Sequence, residues 1–195
     1  MKKLSVFNKI LIIIIGFISL YFTIIYIQNN NLINFLVSIA LIPLTLVPTI
    51  LNKMLKYKLS NGIILIYLLF IIFSVILGSL FNFYDYIPIY DKILHFVTGI
   101  LSSLFAIIIL KNFGKYGDKS IGFNLIFMLA ITCAIALLWE VFEYISDYLF
   151  SGNAQRHIET GVHDTMQDMI SSLVGFIIFT IFYIVKKFTL FNCEH

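Results

Sequence analysis

Ionisable side chains recur at helical spacing in three segments of the C-terminal half of the chain. The three pairs, each separated by three or four residues, are Asp91 with His95, Glu140 with Glu143, and Asp164 with Asp168. Residues at these intervals lie about one turn apart on the same face of an α-helix. If the three segments are neighbouring helices, five carboxylates and one imidazole face a common space.

Such a set of side chains could bind a metal ion. Hard divalent cations take carboxylate oxygens, and imidazole suits Zn, Fe or Mn. We therefore predict a divalent metal ion as cofactor, held by His95, Glu140, Glu143, Asp164 and Asp168. Asp91 and His95 are the predicted catalytic residues, because a carboxylate one turn away can orient an imidazole or move a proton. The sequence contains no nucleophile elbow, Walker-type loop or HExxH pair.

The elements that must position these residues are membrane helices. The 195 residues are 61% hydrophobic and only 12% charged, which lies outside the usual range of water-soluble proteins. A spanning helix needs roughly 20 mostly apolar residues. Stretches that meet this requirement are residues 10–27, 32–51, 62–81, 93–110, 123–146 and 165–185. We predict an all-α polytopic membrane protein with six transmembrane helices, built as one domain over residues 1–195.

The distribution of basic residues predicts the orientation. Eleven of the 13 Lys and Arg residues fall on the side that carries both termini, whereas the opposite side has only Lys92 and Arg156 together with eight of the ten acids. Lys and Arg in short loops mark the cytoplasmic side. Both termini are therefore expected in the cytoplasm of a multi-pass protein of the cell membrane. The net charge of +3 reflects this topology, so the predicted partner is the lipid bilayer and not nucleic acid.

The depth of the acids strengthens the case for a site. An uncompensated carboxylate within the bilayer costs several kcal/mol, so Glu140 and Asp168 should be protonated, paired with His95 or neutralised by a cation. The last three predicted spans contain no Lys or Arg that could neutralise these acids. This absence favours a metal ion as the counter-charge. Small residues, Gly99 and Gly175 among them, lie on the same helix faces as the acids. They indicate that these faces point toward neighbouring helices.

Simpler roles are open for several of these residues. Asp91 and Asp164 each begin a predicted helix, where an acid caps the N-terminus and complements the helix dipole. Glu143 and Asp147 lie near the headgroup level and could be solvated. His95 could be a hydrogen-bonded packing residue.

The loop 147–163 contains two further histidines, His157 and His163. Loop histidines need no partner, so a solvated or lid role is favoured over ligation. The function of this loop stays open.

Three segments of this half resemble the YjdF-type inner-membrane proteins of bacteria. They are DKILHFVTG at 91–99, WEVFEY at 139–144 and the stretch that begins DTMQDM at 164 and runs to Gly175. A more distant resemblance to the VanZ-like membrane family rests on the Asp-Lys-x-x-His segment. The resemblance implies functional roles for Asp91, His95, Glu140, Glu143, Asp164 and Asp168, and it indicates no reaction. His163 stands where a Trp is common in that family.

Three functions are consistent with the sequence. The first is a metal-dependent hydrolase or transferase that acts on a lipid-linked or envelope substrate at the outer leaflet. The second is an ion-coupled transporter, which requires polar groups along a whole path, although residues 107–110 and 177–183 are apolar. The third is a non-catalytic scaffold in which the acids and His95 join helices. The sequence indicates neither the substrate nor the oligomeric state.

Overall fold

Long helices form most of the chain in the computed structural model, which describes residues 2–116 and 121–192. The described residues contain no strand. The helices among them that are long and apolar enough to cross a membrane are Lys3–Gln28, Leu32–Met54, Asn61–Leu80, Tyr90–Asn112, Ile121–Phe150 and His163–Lys186. The prediction of an all-α protein with six spanning helices is confirmed. Asp118, Lys119 and Glu194, which entered the charge count, lie outside the described residues.

Apolar side chains cover the outer faces of these helices, and polar side chains lie inside. Ile13, Phe17 and Phe182 are 58%, 69% and 70% exposed, whereas Ser19 and Asp168 are 0% and 1% exposed. Water-soluble proteins rarely expose such extended apolar surface. The arrangement is the one expected where hydrocarbon replaces water around the protein.

Contacts divide the chain into two compact units, Met1–Tyr90 and Asp91–His195, and the single domain expected from the sequence stays a prediction. The helices of the first unit are α1 (Lys2–Gln28), α2 (Leu32–Met54), α3 (Asn61–Ile71) and α4 (Phe83–Tyr86), and α3 continues as a π-helix over Ile72–Leu80. Asn31 caps α2 and Ser60 caps α3, each accepting a hydrogen bond from a first-turn amide.

Apolar packing and short hydrogen bonds hold the first unit together. Ile15, Leu41 and Leu68 form the centre of its apolar core. Ser19 donates a hydrogen bond of 2.5 Å to the carbonyl of Ser38, which joins α1 to α2. Proline inside a helix removes a backbone donor, yet α2 continues through both Pro43 and Pro48 to Met54.

The second unit carries all the candidate site residues. Its helices are α5 (Tyr90–Asn112), α6 (Ile121–Phe150), α7 (His157–Thr160) and α8 (His163–Asn192). Ala106, Ile107 and Met128 form an apolar cluster in its interior. The acids and His95 lie at the Tyr90 end of α5, the Phe150 end of α6 and the His163 end of α8, so they gather at one end of the three long helices.

Candidate functional site

Two glycines bring α5 and α8 into backbone contact beside the site. A Cβ atom on Gly99 would overlap the carbonyl of Ser172, and one on Gly175 would overlap the carbonyl of Phe96. Helices in lipid approach this closely where small residues face each other. The Ser172 hydroxyl then donates a hydrogen bond of 3.0 Å to the carbonyl of His95. These contacts fix His95 and Asp168 at the same level of the unit.

Asp91, His95 and Asp168 form a compact group of potential ligands. Each offers one ligand atom, and these atoms lie within 4.8 Å of one another. His95 Nε2 is 3.6 Å from Asp91 Oδ1, and all three residues are buried. The structure thus brings together one acid and the histidine of α5 with one acid of α8.

Glu140 of α6 faces this group from the third helix. Its Oε1 lies 4.0 Å from His95 Nε2, and the residue is 4% exposed. Neither carboxylate oxygen meets hydrogen-bond geometry with a described residue, although the Thr165 hydroxyl lies close enough to favour the charged carboxylate. A buried carboxylate without hydrogen bonds loses its hydration without compensation. Glu140 is therefore the group that most requires a proton or a cation beside it.

Lys92 supplies a positive charge at the acids of α8. The expectation that no basic residue serves these helices is wrong, because α5 begins at Tyr90 and Lys92 lies inside its first turn. Its ammonium pairs with Asp164 and lies 3.0 Å from Asp168 Oδ1. The sequence did contain an indication of this role. Lys92 lies three residues before His95, and that interval places both side chains on one helix face.

The remaining acids predicted as ligands have other contacts. Glu143 is buried and accepts a hydrogen bond of 2.7 Å from the indole of Trp139. Asp164 is engaged by Lys92. Asp91 and Asp164 are each the second residue of their helices and are buried, so they lie inside the first turn and not at the capping position.

Asp147 holds the loop that follows α6. Its two carboxylate oxygens accept hydrogen bonds from the amides of Ala154 and Gln155, at 2.7 and 3.0 Å. The Gln155 side chain donates to the carbonyl of Glu140 at 3.1 Å. Asp147 is therefore buried against the loop and not solvated, and the loop is fixed next to Glu140. Sequence spacing gave no signal for Gln155.

His163 is exposed at the start of α8, and its Nε2 is 3.0 Å from the side-chain amide of Gln167. It does not join the buried group. The side chain of His157 lies outside the described residues.

The other half of the second unit contains more polar groups than expected. Ser103 and Thr132 lie 3.4 Å apart between α5 and α6, and Asn124 donates a hydrogen bond of 3.0 Å to the Tyr183 hydroxyl. The apolar cluster of Ala106, Ile107 and Met128 occupies the same part of the unit. These pairs join helices, since polar contacts of this kind stabilise helix association in lipid.

The fold and the site define a class: a polytopic helical membrane protein with a buried carboxylate and histidine cluster. Residues 10–187 match a family described as predicted membrane proteins, DUF2238. This match covers most of the chain, so the protein belongs to that family. An assignment to the YjdF type is consistent with this result and stays a prediction, and the comparisons give no support to a VanZ-like relationship.

One relative is an uncharacterized protein of Thermotoga maritima. It is 33% identical over 102 residues, which are 51% of this chain and 50% of the relative. The chain thus matches about half the length of that protein. No solved structure matches.

The contact between α5 and α8 yields a prediction. Gly99→Ala places a methyl group where the Ser172 carbonyl lies, so we expect a loss of about 1–3 kcal/mol in the free energy of unfolding. Unfolding of the purified protein in mixed detergent micelles measures this change. Gly122→Ala is the matched control, since a Cβ on Gly122 meets nothing within 4 Å. Equal stability of the two variants would contradict the packing described here.

Proposed function

We propose that the cluster in the second unit binds a divalent metal ion and that the protein is a metal-dependent hydrolase or transferase. The observation that carries this proposal is the unpartnered carboxylate of Glu140, buried 4.0 Å from His95 and beside a three-residue ligand group. A buried acid without hydrogen bonds must be neutralised by a proton or by a cation, and the adjacent potential ligands favour a cation at that point.

The donor set fits a divalent ion. Asp91, Asp168 and Glu140 offer hard oxygen atoms and His95 offers an imidazole nitrogen, a combination that suits Zn, Mn or Fe. Four ligand atoms about 2.0–2.2 Å from a tetrahedral metal lie about 3.3–3.6 Å from one another. The observed group, within 4.8 Å, would contract by rotation of its side chains to reach that spacing.

The proposed ligands are therefore Asp91, His95 and Asp168, with Glu140 as the fourth. Asp164 and Glu143, which the sequence analysis also named, have Lys92 and Trp139 as partners, and their roles would be to balance charge and to position neighbours. A metal in this position would polarise a substrate oxygen or lower the pKa of a bound water.

The substrate would reach the cluster from the extracytoplasmic side. The cluster lies at the end of the second unit that carries Lys92 and Arg156, the side poor in basic residues. The positive-inside rule therefore supports cytoplasmic termini and a site near the outer leaflet of the cell membrane. A lipid-linked or envelope substrate is the class that reaches a buried site at this level.

Binding of the metal is tested directly. The purified chain, stripped with chelator and then exposed to Zn²⁺ or Mn²⁺, should retain about one ion per chain by elemental analysis. Asp168→Asn should weaken binding by about 100-fold, since even the outer partners of metal ligands contribute 10–100-fold. Asp85→Asn is the matched control, because Asp85 is an exposed acid of α4 in the first unit.

Two results would count against the proposal. Failure of the wild-type chain to retain any stoichiometric ion would remove the metal site. Equal metal binding by wild type and Asp168→Asn would show that the ion is bound outside this cluster. If Glu140→Gln lowers the folded yield while the wild type binds no metal, the cluster serves as a scaffold that joins α5, α6 and α8.

The orientation has its own test. Alkaline phosphatase requires export for activity, so a fusion after Ser151 in the outer loop should be active and a fusion after Lys186 should be inactive. A fluorescent protein that folds only in the cytoplasm should give the opposite pattern at the same two positions. Activity of the phosphatase after Lys186 would show that the basic side does not face the cytoplasm.

A further inference from the structure

We propose that Lys92 is a counter-ion within the chain that competes with the metal ion for Asp168. The inference rests on the proposed metal site. It adds that Lys92 lowers the affinity of this site for the metal ion. In the metal-free chain the ammonium would occupy part of the space that the metal requires. Binding of the metal would then require Lys92 to leave Asp168 while it stays paired with Asp164.

Asp168 is shared between two sets of partners. Its Oδ1 lies 3.0 Å from Lys92 Nζ, and one of its oxygens belongs to the ligand group with Asp91 and His95. The same Oδ1 has no partner that meets hydrogen-bond geometry. The ammonium is thus in ion-pair contact with this oxygen, whereas only its contact with Asp164 also meets hydrogen-bond geometry.

Two cations cannot share one buried carboxylate without repulsion. The energy of repulsion varies inversely with distance and is weakly screened where water is scarce. Asp168 is 1% exposed, so screening at this point is poor. A divalent ion bound to Asp168 would therefore displace the ammonium that lies 3.0 Å from it.

Lys92 has the means to move. Its side chain is 19% exposed and reaches the surface, and lysine has a flexible stem of four carbons. Asp164 can retain the ammonium, because its Oδ2 is buried and has no hydrogen-bond partner among the described residues. The ammonium would move from between the two acids toward Asp164 and the surface.

This exchange has a cost in metal affinity. A ligand that binds only one of two protein conformations has an apparent affinity equal to its intrinsic affinity multiplied by the fraction of protein in that conformation. The ion pair with Asp168 therefore lowers the apparent affinity of the site, and it also offsets part of the charge of Asp168 when the metal is absent. The metal site would thus be exchangeable, and Asp168 would have a cationic partner in both states.

The test compares metal affinity among variants of the full chain in detergent. Titration calorimetry with Zn²⁺ and Mn²⁺ should show that Lys92→Met binds about tenfold more tightly than wild type. The double variant Lys92→Met with Asp164→Asn removes both members of an ion pair, so the net charge is unchanged. It therefore avoids misfolding that an unpaired buried acid would cause. It should also bind about tenfold more tightly. Lys92→Arg keeps the charge and should bind no more tightly than wild type.

Lys111→Met is the matched control. Lys111 lies in the last turn of the same helix, roughly 28 Å from Lys92 at 1.5 Å per residue, so its removal should leave metal affinity unchanged. Affinities equal to or below that of wild type in both Lys92→Met variants would overturn the competition and leave the metal site standing. Absence of binding in every variant, wild type included, would overturn the proposed function and the competition with it.

Discussion

Charge balance inside a membrane helix bundle is the constraint on which the second unit depends. Five of its buried carboxyl groups form the cluster, those of Asp91, Glu140, Glu143, Asp164 and Asp168, and the Lys92 ammonium pairs with the last two. Ionised acids at such a depth are costly unless protons or cations neutralise them. Lys92 balances Asp164 and part of Asp168, and Trp139 satisfies one oxygen of Glu143. Glu140 is left without any such partner, and this imbalance is the reason for proposing a metal.

The surrounding elements make this arrangement structurally feasible. Gly99 and Gly175 allow α5 and α8 to approach so closely that Ser172 bonds to the backbone of His95. Asp147 fixes the loop after α6, and through it Gln155 contacts the backbone of Glu140. Each of the three helices therefore reaches the cluster through a specific contact. Such support holds polar side chains in place where hydrophobic expulsion from water provides no force between helices.

The sequence predicted the spans and the residues of the cluster, because apolar runs and intervals of three or four are local properties. It did not predict the partner of Lys92, since the direction of a long side chain depends on a helix 72 residues away. It missed the burial of Asp147 for a similar reason: its partners are loop amides whose placement follows from backbone turns at Ser151 and Arg156, both with positive φ. The π-helix after Ile71 also left no pattern in the sequence.

X-ray absorption spectroscopy of the Zn-loaded protein tests the central claim most directly. Coordination by Asp91, His95, Asp168 and Glu140 should give one imidazole nitrogen and several oxygen atoms at about 2.0–2.2 Å, with the outer-ring scattering of histidine lost in His95→Ala. A spectrum with oxygen alone, unchanged by His95→Ala, would show that any bound zinc lies elsewhere. The buried acids would then have to be neutralised by protons and by basic side chains such as Lys92.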